Sequence, residues 1–544
     1  MKLRIIGAVS CSLLTSILFT SAVSAESNPL VQNQYSTDRS SAYSTKYSLQ
    51  SLQASVTYKQ VIDTYTLHEY FFSTNGGQFT VSELHNGTGE IFFSIIDADT
   101  EEVIEFGDSN TFTLPAGNYL FEVEGLNEQA KQYEYSLSGS FTKQPNNSLP
   151  SLSVTKPLTH DVRLAKGSTR LDVGGSTTAD ALDLYVNFNN EPISLGTSFS
   201  KSLTVQPGHN TIAFNALDSN SLNAIWSVYD VVSPGIQRIG GKDRYEVSTG
   251  ISKELDNKAA YGGTVIISRG DLYTDALSGG PLAAFEGAPV LLTGTKALPS
   301  TVINELNRLK PEKAIILGGT GSVSVNVENQ LKSMGIQTIQ RIGGKDRFAV
   351  SAGVAEQIAD YADTAIIASG LNFPDALSAS GMAGYMGMPI LLVGTNSVPD
   401  SIQTFIKNNS NIKKFIIVGG PATVSDNVKT KISQLRNGAK IERLGGLNRY
   451  QVSINVANYG IENYGMDLSS LLIARGDVFA DALSGSPLAT FTGSPILLTT
   501  STKVEGNLNN YLKQNQGKTD FMYILGGSGS ITPTTEQQLS TFIK

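Results

Sequence analysis

The sequence predicts a multidomain chain, with N-terminal all-β sandwiches followed by three Rossmann-like α/β repeats packed as a pseudo-threefold unit. Three observations predict it. RIGGKDRY (238–245) returns as RIGGKDRF (341–348) and RLGGLNRY (443–450). Behind each copy the same landmarks follow in the same order: SRGDLYTDALSGGPLA, ASGLNFPDALSASGMA and ARGDVFADALSGSPLA, then PVLL, PILL and PILL, then ILGGTGSVS, IVGGPATVS and ILGGSGSIT. A period of about one hundred residues exceeds that of solenoid repeats, so each copy can form a compact domain. Before the first copy the hydrophobic pattern alternates at period two. Within the copies, unbroken apolar runs alternate with helical patterns.

The chain has 544 residues, 40% of them hydrophobic and 16% charged, with 52 glycines. That composition belongs to a globular, loop-rich protein. Residues 1–25 have the form of a secretory signal peptide. Lys2 and Arg4 supply a positive start, an apolar core follows, and Val23-Ser24-Ala25 approximates a small-x-small cleavage site that would leave Glu26 first. A membrane anchor is the competing reading, but the stretch is short and interrupted by serines. No later stretch is apolar enough to span a bilayer. The one cysteine, Cys11, lies inside the signal and too early for a lipoprotein site. The mature chain would have no disulfide, thiol nucleophile or thiolate metal ligand.

Residues 26–55, rich in Ser, Tyr and Gln, are a leader or linker. Residues 56–143 carry short alternating runs (YTLHEYFFST, GQFTVSEL, EIFFSIID, YEYSLSGSF), the pattern of half-buried strands in a β-sandwich. Asp97 and Asp99 in DADTEE lack the glycine and closing glutamate of an EF-hand loop, so a solvated turn is expected there. QPNNSLP (144–150) is a linker. Residues 152–233 alternate again, with turns about ten residues apart, as in an immunoglobulin-like sandwich. The lone Trp226 is read as a core or edge residue.

The repeats span 236–337, 338–440 and 441–544. In the first, the strand GTVIISRG precedes the helix DALSGGPLAAFEG. Then come the strand APVLLTG, the helix PSTVINELNRLK, the strand KAIILGG, the helix VNVENQLKSMG and the strand IQTIQRIGG. Continuous apolar strands alternating with helices make a parallel sheet covered on both faces. Gly318-Gly319, Gly419-Gly420 and Gly526-Gly527 sit between strand and helix, as a phosphate loop would. None completes a nucleotide motif, so tight turns are expected. Asp275, Asp375 and Asp481 open the DALS helices, where capping accounts for them without chemistry; a catalytic carboxylate is the alternative. Arginines bracket each RIGG block: Arg238 and Arg244, Arg341 and Arg347, Arg443 and Arg449. A guanidinium suits bidentate capture of phosphate or carboxylate. Equally, each can pair with a carboxylate of its own repeat, with Asp243, Asp346 and Asn448 close by in sequence. Arg269 and Arg475 correspond to each other, but Ser369 replaces them in the middle copy.

These four ordered blocks resemble the type 2 cell-wall-binding repeat of Gram-positive surface proteins and autolysins, over residues 236–544. The resemblance implies a secreted protein at the wall of a Gram-positive cell, anchored non-covalently to an anionic polymer, teichoic-acid-like or a secondary wall polysaccharide. It also associates the PVLL and PILL segments with polymer binding: Pro289, Val290, Leu291, Leu292, then Pro389, Ile390, Leu391, Leu392, then Pro495, Ile496, Leu497, Leu498. Other surface proteins or autolysins are the further partners it implies. TLPAGNYLFEVEG is similar to a stretch of the prepeptidase C-terminal type of sandwich, and LTVQPGHNTI to bacterial Ig-like spacers.

Charge divides the chain. Residues 234–544 hold 28 Lys+Arg against 25 Asp+Glu, while 1–233 hold 12 against 23. An anionic polymer is repelled by the second set and tolerated by the first. The four histidines all precede the repeats, and no H-E-x-x-H, G-x-S-x-G or zinc-ligand cluster occurs. The expectation is a non-catalytic binder without cofactor, metal or nucleic-acid partner. The alternatives are an accessory of an autolysin, or a wall hydrolase with an unrecognised catalytic domain.

Overall fold

The structure is a computed structural model. It describes residues 52–544 apart from 63–64, 84–90, 100–102, 108–110, 126–130, 145, 147, 188–191, 258–260 and 480. The predicted signal peptide, Cys11 and nearly all of the leader lie outside the described residues. The chain forms two compact units. One takes the residues up to Leu164 with Ser168–Val232, and the other takes Ala165–Gly167 with Ser233–Lys544. Among the described residues no helix is long and apolar enough to cross a membrane.

Among its described residues the first unit is all β, as its alternation predicts. Thr66–Glu83 pairs antiparallel with Thr111–Gly125, from Leu67 opposite Glu124 to Thr80 opposite Thr111. Every second residue turns inward, and Tyr58, Tyr70, Phe72, Phe79, Phe121 and Tyr135 fill an aromatic core. A three-stranded sheet of Leu152–Lys156, Arg170–Thr177 and Ser198–Thr204 belongs to the second part, whose core holds Val173, Phe199, Phe214 and Tyr229. The two parts share a sheet, which the sequence did not reveal. Ala224–Ser233 pairs with Thr66–Glu83, setting Ala224 opposite Glu69 and Trp226 opposite Leu67. Trp226 is therefore a core residue at the join, and its indole N–H donates to the Glu69 carboxylate. Asp97 and Asp99 form the expected turn: Asp97 accepts from the Asp99 amide at 2.9 Å, and Asn118 donates to Asp99 at 3.2 Å.

The second unit contains three four-stranded parallel sheets. The first has the order Val290–Thr293, Thr264–Arg269, Lys313–Leu317, Thr338–Ile342. The second runs Ile390–Val393, Thr364–Ser369, Lys414–Val418, Lys440–Leu444. The fourth strand of each leads directly into the next RIGG or RLGG block. The third sheet, Ile496–Thr499, Ser470–Arg475 and Phe521–Leu525, takes its fourth strand, Gly235–Ile239, from the start of the first repeat. Edge pairing thus ties the ends of this unit together.

Three inner helices, Gly279–Phe285, Pro374–Tyr385 and Ser486–Phe491, each touch the other two. They approach closely because their facing residues are small. A Cβ on Gly280 would run into the Ser486 side chain, one on Gly381 would lie 2.9 Å from Ala489 Cβ, and one on Gly384 would meet Thr490. The Ser486 hydroxyl donates across the contact to the Ser380 carbonyl at 2.9 Å. Gly280→Val should cost about 1–3 kcal/mol, because overpacking forces neighbours off their rotamers. A calorimetric melt of the variant checks this.

In the first unit burial, with the neighbouring Glu122, pushes the Glu124 carboxyl up to about 8, and burial holds His68 down to about 4. From pH 4 to 6.5 the two oppose each other. The folded state keeps His68 neutral, which gains stability as pH rises, while it keeps the Glu124 proton, which loses stability. Above pH 6.5 only the Glu124 contribution remains, so this unit should lose about 1–2 kcal/mol between pH 6.5 and 8. Trp226 is the chain's one tryptophan and reports this unit alone. Its fluorescence melting point should fall over that window in the wild type and stay level in Glu124→Gln.

Candidate functional site

The PVLL and PILL segments are core strands. Val290, Leu291 and Leu292, with Ile390, Leu391, Leu392, Ile496, Leu497 and Leu498, are at most 2% exposed. Pro289, Pro389 and Pro495 are buried too, and their carbonyls accept from Ile266, Ile366 and Leu472 in the sheet at 2.9–3.0 Å. Alternate residues pack on opposite faces: Ile390 and Leu392 join the core around the inner helices, while Leu391 packs against the outer ones. These side chains are core, so the association of these segments with polymer binding has no exposed side chain to rest on.

The arginines divide into two sets with different uses. The first set is consumed internally. Arg341 reaches Glu328 through Nη2 at 2.9 Å and donates through Nη1 to the Gly318 and Val323 carbonyls at 3.0 and 2.9 Å. Arg238 does the same with Glu536 at 2.7 Å and Gly526 at 2.9 Å. Arg443 contacts Asp426 at 3.1 Å, Gly419 at 2.9 Å and Val424 at 2.7 Å. Each partner belongs to the adjacent repeat, not to the arginine's own. The nearby Asp243, Asp346 and Asn448 are helix caps instead: Asp346 accepts from the Phe348 and Ala349 amides, and Asn448 from Tyr450 and Gln451. Capping explains why Asn448 can stand where its counterparts are aspartates.

The second set is oriented but keeps an open edge. Arg244, Arg347 and Arg449 each donate through Nη1 to one carbonyl, of Gly270, Gly370 and Gly476, at 2.5, 2.7 and 2.6 Å. Each guanidinium lies over an aromatic ring of another repeat: Arg244 over Phe479 at 5.5 Å, Arg347 over Tyr273 at 5.9 Å, Arg449 over Phe373 at 5.8 Å. The three rings contact one another with centroids 5.3–5.8 Å apart. Among the described residues, none of these three arginines forms a carboxylate ion pair. Each guanidinium thus has one nitrogen fixed and one face covered, while among the described residues its other N–H groups make no bond to a side-chain carboxylate. Sequence reasoning missed the rings, although each of the three copies carries Tyr273, Phe373 or Phe479 two residues before its DALS aspartate.

Asp275, Asp375 and Asp481 do not cap. Asp275 makes no capping bond, and Asp375 lies inside its helix. Their carboxylates instead fill the space above Gly318, Gly419 and Gly526, whose φ values of +105°, +114° and +108° favour glycine. The Ser530 hydroxyl donates to Asp481. Burial raises the Asp275 and Asp375 carboxyls, against hydrogen bonds from Ser322 and Thr423 and the charges of Arg347 and Arg449. A carboxylate packed on the glycine leaves no place for a phosphate, so the Gly-Gly turns are structural. Arg269 and Arg475 pair with Asp271 and Asp477 two residues on. The middle copy keeps neither partner: Ser369 accepts from the amide of Leu371. Among the described residues, no group of three or more His, Cys, Asp or Glu is arranged to hold a metal.

A family model described as cell wall binding domain 2 (CWB2) matches residues 238–328, 341–429 and 443–536. The amidase enhancer of Bacillus subtilis (strain 168) is 32% identical over 304 residues, 56% of this chain and 40% of that protein. N-acetylmuramoyl-L-alanine amidase LytC of the same organism is 29% identical over 304 residues, 56% of this chain and 58% of that protein. The chain thus spans about half the length of the curated relatives it matches. Two solved structures share the fold. Cwp6 from Clostridium difficile has a TM-score of 0.55 at 23% identity, over 73% of this chain and 68% of its own. Cwp8 from Clostridium difficile has 0.51 at 19%, over 91% and 89%.

The two arginine sets should separate by melting. Arg341→Ala leaves two carbonyls unpaired and Glu328 with Lys332 alone, and should cost about 2–4 kcal/mol. Arg347→Ala gives up one carbonyl bond and one ring contact, about 1–2 kcal/mol. Equal losses in calorimetry would erase the distinction.

Proposed function

The chain belongs to the cell wall binding domain 2 family, and from that premise we propose that it is a non-enzymatic protein held on a Gram-positive cell by its three repeats. The repeats close as a pseudo-threefold, Rossmann-like ring and take an anionic wall polymer, teichoic-acid-like or a secondary wall polysaccharide. The signal-like N-terminus delivers it across the membrane, and the acidic β unit is displayed from the wall.

The observation that carries this reading is the second arginine set: three equivalent cations, each fixed by a carbonyl and a ring from another repeat, each with donors left over. The acid-rich N-terminal part opposes the same polymer and supports the division of labour. Three similar sites on one unit multiply a weak affinity, since tethered sites gain about 10²–10⁴ in avidity.

A second reading, accessory action on an autolysin, rests on the repeats matched in proteins named amidase enhancer and amidase. It differs in needing a protein partner. The test uses the mature chain and purified walls, before and after chemical removal of their anionic polymer. Sedimentation with intact walls and loss of binding to stripped walls are expected, with no clearing band in a zymogram. Undiminished binding to stripped walls would overturn the polymer assignment, and a clearing band would overturn the non-enzymatic one. Raised clearing by an added amidase would favour the accessory reading.

A further inference from the structure

We propose that a groove on the third repeat, between the helices Gly506–Gln514 and Pro533–Ser540, is a separate site for an acidic saccharide. The groove has a volume of about 530 Å³, within the range of small-ligand sites. Its walls are rich in donors. Lys503 and Lys513 line it with the side-chain amides of Asn509, Gln516 and Gln538, and no carboxylate does. Among the described residues neither ammonium has an ion-pair or hydrogen-bond partner, and the Asn509 and Gln516 amides are likewise uncommitted. Gln538 spends only its carbonyl oxygen, on the Val504 amide at 3.0 Å, which leaves its NH₂ group for a ligand. The nearest acid in sequence, Glu505, is occupied in capping the helix through the Asn507 and Leu508 amides.

Apolar side chains complete the lining, Val504 and Phe542. Ammonium groups and amides beside an apolar patch match a sugar ring, whose hydroxyls and acid group bond outward while its C–H face packs. The site belongs to the third repeat alone. The positions of Lys503 and Lys513 hold Ala297 and Asn307 in the first copy, and Ser397 and Lys407 in the second. Asn509 likewise stands where the first copy has Ile303. Gln330, the counterpart of Gln538, makes the same bond, to Leu298 at 2.9 Å, so that contact is structural, while Lys503 has no lysine counterpart in either other copy. This inference stands on the groove itself, whatever the arginines bind.

Titration calorimetry of the full chain with tetragalacturonate, glucose 1-phosphate and chitotetraose tests it, with hydrogen exchange to locate the ligand. At least one charged saccharide should bind and chitotetraose should not. Protection should fall on 503–516 and 538–542. Lys503→Ala with Lys513→Ala should weaken binding at least tenfold without moving the melting point, and Asn509→Ala with Gln516→Ala should weaken it by a smaller factor. The uronate and the phosphate sugar, compared directly, identify the acid the groove prefers. Failure of both charged probes, equal binding of chitotetraose, wild-type binding by both double variants, or protection confined to the arginine loops would overturn the proposal.

Discussion

The contact on which the second unit depends is the approach of three inner helices across glycine, alanine and serine. Packing density leaves no room for a larger side chain where Gly280 meets Ser486 or Gly381 meets Ala489. Because the helices meet so closely, the residues at their N-terminal ends meet as well, and Tyr273, Phe373 and Phe479 come into mutual contact. Those rings in turn orient Arg347, Arg449 and Arg244. The sheets work in the same direction. Each lends its edge to a strand that leads into another repeat's RIGG block, so helix contact and strand pairing fix the same arrangement twice.

Identical residues serve opposite ends in this frame. Arg238, Arg341 and Arg443 meet a carboxylate and one or two carbonyls inside the protein. A ligand would have to displace those contacts. Arg244, Arg347 and Arg449 make one carbonyl bond each. Their orientation is supplied by the fold, which on the proposed reading reduces the ordering cost of binding an anion. Screening in salt limits the reach of the acidic N-terminal part to about 10 Å, so local geometry at these three positions outweighs net charge.

Much of the fold was legible. Unbroken apolar runs such as TVIISR and KAIIL announced parallel strands buried on both faces, and triplication announced three copies. The destination of each final strand was not, because hydrophobic pattern encodes a buried face and not which edge it joins. The shared sheet of the first unit escaped for a similar reason: its join pairs Ala224–Ser227 with Thr66–Glu69, far apart in the chain. At the site, residue type proved a weak guide. Asp275 looked like a cap because it opens a helical pattern, yet its carboxylate packs on Gly318, while the caps were Asp243, Asp346 and Asn448. The apolar runs of PVLL and PILL read as strand, and those strands lie in the core.

The central claim is that three preorganised arginines hold an anionic polymer. The most direct measurement is the affinity of the full chain for purified walls at low and high salt, in the wild type and in a variant with Arg244, Arg347 and Arg449 all changed to glutamine, alongside their melting points. The account predicts that the folded triple variant binds far more weakly at low salt and loses most of its salt dependence. A folded triple variant with wild-type affinity and wild-type salt dependence would contradict it.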